Sequence, residues 1–142
     1  MKKAVCLLGV LLVISLVAVG VETIPYAAMV VSKTVQTDLA SDVDLTTLLT
    51  PNNTHDYIVT LYATALSCPT GNSSLRVTLN WTDEIQPEST VFTPGPGGTG
   101  VPSFSDIRYI HAIGGVPIQY SVVYNAGTSS CAYDMTLTLV KE

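Results

Sequence analysis

The chain has 142 residues, of which 47% are hydrophobic and only 12% are charged. This length is typical of one independently folding domain and excludes a multidomain protein. Eleven acidic residues against six basic ones give a formal net charge of −5. This balance argues against nucleic acid or an anionic lipid surface as a partner, because both repel an acidic protein.

The N-terminal segment has the features of a secretory signal peptide. A basic head, Met1-Lys2-Lys3, precedes the uncharged stretch Ala4–Val21, and the small residues Ala18 and Gly20 suit a cleavage site after Gly20. As a helix this stretch would reach about 27 Å, so an uncleaved membrane anchor is the alternative. We expect residues 1–20 to be a signal peptide or anchor, and the protein to be secreted or displayed at the cell surface.

The pattern of the remaining sequence predicts a series of β-strands. Residues 21–42 are a weakly patterned lead-in, within which Ala27–Gln36 could form a first strand. From residue 43 to residue 142, short runs of alternating apolar and polar residues are separated by proline, glycine and asparagine. The predicted strands in this region are Val43–Thr50, Tyr57–Leu66, Leu75–Thr82, Glu88–Thr93, Ile107–Ile113, Ile118–Asn125 and Tyr133–Val140.

These strands predict an all-β domain. In the clearest case, Leu75–Thr82, every second residue is apolar, as expected of a strand with one buried face. Tyr57–Leu66 is apolar on its second face as well, so we expect it to be central or covered on both sides. Seven or eight such strands fit a single antiparallel β-sandwich over residues 43–142, either jelly-roll or immunoglobulin-like, with the strand order left open.

One segment, Thr93–Pro102, has too much glycine and proline for a strand, and we expect a long exposed loop there. It is not a phosphate-binding loop, because such a loop needs a lysine and the sequence has none between Lys33 and Lys141.

Two cysteines, Cys68 and Cys131, remain once Cys6 is removed with the signal peptide. An even number of cysteines in an exported protein favours pairing, so we predict a structural disulfide between them. Two separate buried thiols are the alternative, since the sequence does not show that the two turns meet.

Catalytic and metal-binding patterns are weak. His55 and His111 have no second ligand at zinc spacing, and a triad of His111, Asp106 and a serine is possible only on paper. We therefore predict no enzymatic activity and no cofactor. Two acidic groups could in principle bind calcium, although neither matches the calcium-loop spacing. They are Asp38, Asp42 and Asp44, and the pair Asp83 and Glu84.

Aromatic residues supply the candidate ligand contacts. Tyr62 falls on the side of its strand opposite Tyr57, and Trp81 ends its strand, so either could stack on a sugar or anchor a protein. We predict a non-catalytic structural, adhesive or protein-binding module with a protein or glycan partner at the cell surface. Self-association through an edge strand is one form of this. The alternative is a glycan-binding domain, with or without the help of calcium.

Overall fold

A computed structural model describes residues 29–67, 74–92, 103–125 and 132–142. The expected signal segment, both cysteines of the predicted disulfide and the expected loop Thr93–Pro102 lie outside these residues. The described part of the chain contains no helix that could span a lipid bilayer. Its eight strands are β1 (Met29–Leu39), β2 (Val43–Leu49), β3 (His55–Ser67), β4 (Ser74–Thr82), β5 (Pro87–Phe92), β6 (Ser103–Ala112), β7 (Ile118–Asn125) and β8 (Ala132–Lys141).

The strands form two four-stranded antiparallel sheets, with the orders β1-β8-β3-β6 and β2-β7-β4-β5. This confirms the predicted β-sandwich. The pairing is nested, because β1 pairs with β8, β2 with β7, β3 with β6 and β4 with β5. An immunoglobulin-like order would place β1 beside β2 in one sheet, whereas here these two strands belong to different sheets.

The core lies between the sheets and is built by the inward-facing residues of each alternating strand. Because side chains of a strand point to opposite faces in turn, β4 buries Leu75, Val77 and Leu79 while Arg76 is exposed. The largest fully buried side chains are Tyr120, Tyr133, Phe92, Leu61, Leu75, Leu79, Ile118, Met135, Leu137, Leu139, Val59 and Val77.

The observed strands follow the predicted ones closely, with two differences at the edges of the first sheet. The lead-in contributes β1, as the possible strand Ala27–Gln36 suggested, so the sandwich includes Met29–Leu39 as well as the strands from Val43 onward. Strand β6 begins at Ser103, four residues before the predicted start. The early part of β6 contains Ser103, Ser105 and Asp106, which do not show the apolar alternation of a strand.

Polar contacts connect the sheets away from the apolar centre. The hydroxyl of Ser32 donates a hydrogen bond to the carbonyl of Leu48 at 2.7 Å. The amide of Gln36 donates one to the hydroxyl of Tyr120 at 3.2 Å. These bonds link β1 to β2 and β7 of the opposite sheet.

The turn at Gly114 and Gly115 packs on the β2–β3 loop. The N–H of Gly115 donates to the carbonyl of Pro51 at 2.7 Å, and Gly115 has a φ of 82°. A Cβ atom on Gly114 would lie 2.8 Å from Cα of Asn53. Glycine is therefore required at position 114 for close approach and favoured at position 115 by backbone conformation.

Candidate functional site

The outer face of the β1-β8-β3-β6 sheet carries most of the exposed apolar side chains. Of ten large exposed hydrophobic residues in the described part of the chain, six lie on this face. They are Val30, Val35, Tyr62, Leu66, Ile107 and Tyr109. Tyr109 is the most exposed of the six at 73%. Contiguous exposed apolar patches are uncommon on monomeric proteins and mark contact surfaces.

These side chains are aligned across the sheet by the strand register. One row is apolar on all four strands: Val30 is opposite Val140, Val140 is opposite Ile58, and Ile58 is opposite Tyr109. The next row consists of Lys33, Thr138, Thr60 and Ile107, and the third of Val35, Thr136, Tyr62 and Ser105. We call these three rows the apolar face.

The outer face of the other sheet is mainly polar, although Val91 and Val123 also lie on it. Its corresponding row consists of Thr47, Gln119, Asn80 and Ser89, one residue from each strand. The two outer faces therefore differ in chemistry although both belong to four-stranded sheets. An antiparallel sheet that packs on the core with one side normally presents polar residues on the other, so the apolar face is the exception.

The apolar face carries little charge. Among its twelve positions only Lys33 is charged, and Asp134 lies in the adjoining row, opposite Thr64. The described residues hold four basic and ten acidic side chains, a formal net charge of −6. Most of the negative charge of the domain therefore lies outside the apolar face.

An acid-histidine cluster lies at one end of this sheet. Nδ1 of His111 donates to Oδ1 of Asp56 at 2.6 Å, and Nε2 of His111 lies 3.7 Å from Oε1 of Glu84 in the β4–β5 turn. The hydrogen bond with Asp56 raises the pKa of His111 above its ordinary value of 6.5, and Glu84 adds to this effect by its charge.

The triad that the sequence permits is not assembled. Asp106 does not join His111 but forms an ion pair with Arg108 and accepts the N–H of Ile107. The imidazole of His111 is held instead between Asp56 and Glu84. This arrangement links the end of β6 to the β4–β5 turn of the other sheet.

The two predicted ligand contacts, Tyr62 and Trp81, lie in different sheets and in different surroundings. Tyr62 is 51% exposed and belongs to the apolar face, as its position on β3 predicted. Trp81 lies on β4, in the other sheet, and packs partly buried against the core. The structure therefore does not combine them in one aromatic platform.

Two of the five acidic residues named as possible calcium ligands, Asp42 and Asp83, accept hydrogen bonds from backbone N–H groups. Oδ1 of Asp42 accepts the N–H of Tyr124 at 2.7 Å. Oδ1 of Asp83 accepts the N–H groups of Ile85 and Gln86, and these bonds lower the pKa of Asp83. Among the residues that can be described, no three His, Cys, Asp or Glu side chains are grouped to hold a metal ion.

A small cleft of about 210 Å³ opens at the end of the sandwich where β1 begins. Its lining includes the apolar side chains Met29 and Val31, the amides Asn52 and Asn53, and Lys141. The volume is below the roughly 300–1,000 Å³ of typical small-molecule sites.

The sequence alone did not indicate that Ile107 and Tyr109 are surface residues. Both occupy the side of β6 opposite Ile110 and Ala112, which are buried, so the alternation within β6 contains the signal. This alternation does not by itself show which side of β6 faces the core, since both sides of this strand contain apolar residues.

No protein-family model and no curated protein matches this chain.

Proposed function

We propose that this chain is a non-catalytic structural module that associates with a second copy of itself through the apolar face. The observation that carries the proposal is the row Val30–Val140–Ile58–Tyr109, which is apolar across all four strands. Removing such a surface from water is favourable by about 25 cal/mol per Å². A structural or binding module uses a face of this kind, whereas catalysis requires convergent reactive groups.

The size of the sheet supports a second copy as the partner. Four strands spaced about 4.8 Å apart and about ten residues long give the whole outer face of the sheet an area of roughly 600 Å², and the apolar face is three rows of it. Two outer sheet faces in contact over their full area would bury roughly 1,200 Å² in total, at the lower limit of specific stable interfaces.

Charge also supports association between like copies. Without residues 1–20, and so without Lys2 and Lys3, each chain keeps four basic and eleven acidic residues, a formal net charge of −7. Two such chains repel one another, so contact is least costly through a nearly neutral surface. The apolar face, with Lys33 as its one charged position, meets this condition.

We also propose a jelly-roll architecture for the sandwich. The nested pairing of β1 with β8, β2 with β7, β3 with β6 and β4 with β5 supports it, since a jelly roll winds eight strands into two four-stranded sheets. An experimental structure in which β1 lies beside β2 would contradict this assignment. Fold alone does not identify a function, so the proposed role depends on the apolar face.

Export and a Cys68–Cys131 disulfide complete the proposal. Ser67 is paired with Ala132 at the ends of β3 and β8, and the two cysteines are the next residues in sequence beyond this pair. That pairing supports a bridge, and a bridge in turn supports an oxidising compartment outside the cytoplasm.

Sedimentation velocity of the domain without residues 1–20 tests the association. We expect the wild-type chain to form dimers in a concentration-dependent manner. The double substitution Tyr62→Ser and Tyr109→Ser should weaken dimerisation at least about tenfold, since each side chain contributes about 1 kcal/mol or more to an apolar contact.

The matched control is Val123→Ser, because Val123 is 53% exposed but lies on the polar face of the other sheet. This variant should dimerise like the wild type. A wild-type chain that stays monomeric at millimolar concentration would contradict the proposal, as would equal effects of the two sets of substitutions.

A further inference from the structure

In the described part of the chain β6 is paired on one side only, and its open edge has the most regular geometry of the four sheet edges found there. Strand β6 pairs with β3 over ten consecutive residue pairs without a register shift. The β1 and β2 edges both contain register shifts, and β5 has six residues and begins with Pro87. Bulges, short length and proline protect edges from pairing with other chains. Strand β6 lacks these protections.

Two charged side chains occupy the open backbone groups in the middle of β6. Oδ1 of Asp106 accepts the N–H of Ile107 at 2.7 Å, and Nη1 of Arg108 donates to the carbonyl of Ile107 at 2.9 Å. The two side chains also form an ion pair with each other. Both hydrogen-bonding groups that Ile107 would offer to an added strand are therefore already used.

The facing sheet holds Arg108 in this position. Nε of Arg108 lies 3.3 Å from the hydroxyl of Thr90, and its guanidinium lies 5.0 Å from the ring centroid of Phe92. Both partners belong to β5. The hydrogen bond from Arg108 also lowers the pKa of Asp106, so this carboxylate stays charged at neutral pH.

We propose that Asp106 and Arg108 form a clip that closes the β6 edge against strand addition by β6 of a second copy. Ile107 lies near the middle of the ten-residue strand. In an antiparallel β6–β6 pair centred on Ile107, the two Ile107 residues would exchange both of their hydrogen bonds. The clip covers these central groups and leaves the apolar face available for association.

The test uses a chain that carries Tyr62→Ser and Tyr109→Ser, so that association through the apolar face does not contribute. Into this background we would introduce Asp106→Ala together with Arg108→Ala. The matched control is Arg76→Ala together with Glu88→Ala, which removes one base and one acid from the other sheet. Circular dichroism verifies that each variant is folded.

Two measurements then report on the clip. Amide hydrogen exchange by NMR, at a concentration where all variants are monomeric, should be about tenfold faster at Ile107 in the clip variant, the effect of losing about 1.4 kcal/mol of hydrogen bonding. At higher concentration the clip variant should self-associate with new protection at the Ser105 and Ile107 amides, and the control should not.

Unchanged exchange at Ile107 in a folded clip variant would overturn the proposal. Self-association of the clip variant without protection in β6 would also overturn it, as would equal association of the control. Because the background lacks the two tyrosines of the apolar face, these outcomes do not depend on whether the wild-type chain dimerises through that face.

Discussion

His111 connects the two sheets through its contacts with carboxylates, and these contacts depend on its protonation. Its imidazole, on β6, contacts Asp56 on β3 and Glu84 in the β4–β5 turn, and Asp83 in the same turn contributes a further charge interaction. The hydrogen bond with Asp56 and the charge of Glu84 favour the charged imidazolium and raise the pKa of His111. The cluster is exposed to solvent, so its contribution to the free energy of unfolding is modest.

This arrangement gives stability a defined dependence on pH. A raised pKa in the folded state means that the stabilisation is complete below the ordinary pKa of 6.5 and is lost as pH rises through the folded-state value. We expect the difference in thermal midpoint between the wild type and His111→Asn to be larger at about pH 6 than at about pH 8.

The matching control is His55→Asn, which changes the other histidine and leaves the cluster intact. The difference in thermal midpoint between the wild type and His55→Asn should change less with pH than the difference for His111→Asn. A His111→Asn difference that is constant across the same range, or that grows with pH, would rule out the charged cluster as a stabilising contact.

At the scale of the elements, the sequence predicts where the strands lie but not which strands become neighbours in a sheet. Alternation located β4, β7 and β8 to within one residue, because each buries one side chain in two. The apolar second face of Tyr57–Leu66 correctly indicated a central strand, since β3 lies between β8 and β6. The alternative expectation, a strand covered on both sides, does not apply, because Tyr62 and Leu66 on the second face are exposed in the described structure.

The candidate site could be predicted only in part, for a physical reason. Tyr62 was assigned to the outward side of β3 from alternation alone, and it is exposed. Val35 and Ile107, which belong to the same face, come from β1 and β6, which are distant in sequence from β3. Alternation within one strand does not show which strands become its neighbours in the sheet. The sequence therefore located members of the apolar face but could not assemble it.

The ends of β3 and β8 provide the test of the proposed disulfide. With Ser67 paired to Ala132, we expect Cys68 and Cys131 to be bonded in the exported protein, and the double variant Cys68→Ser, Cys131→Ser to lose about 2–4 kcal/mol of unfolding free energy in urea titration. Alkylation of both thiols in the folded, untreated protein would exclude the bridge.

As a whole, the described structure is a sandwich with two unlike outer surfaces. One sheet shows water a row of threonine, glutamine, asparagine and serine, and the other a row of valine, isoleucine and tyrosine. A monomer would gain nothing from this asymmetry, because exposed apolar surface is unfavourable in water. The proposed association would bury the apolar face and so account for it, and the proposed clip on β6 would direct contact to the face instead of the edge.

The most direct measurement is an NMR dilution series of the wild-type domain, with amide chemical shifts recorded at each concentration. We predict concentration-dependent shifts at Ile58, Tyr62, Ile107 and Tyr109, and constant shifts at Thr78, Asn80 and Ser121 on the opposite outer face. Shifts confined to the opposite face, or amide resonances that do not change at any concentration, would contradict the account.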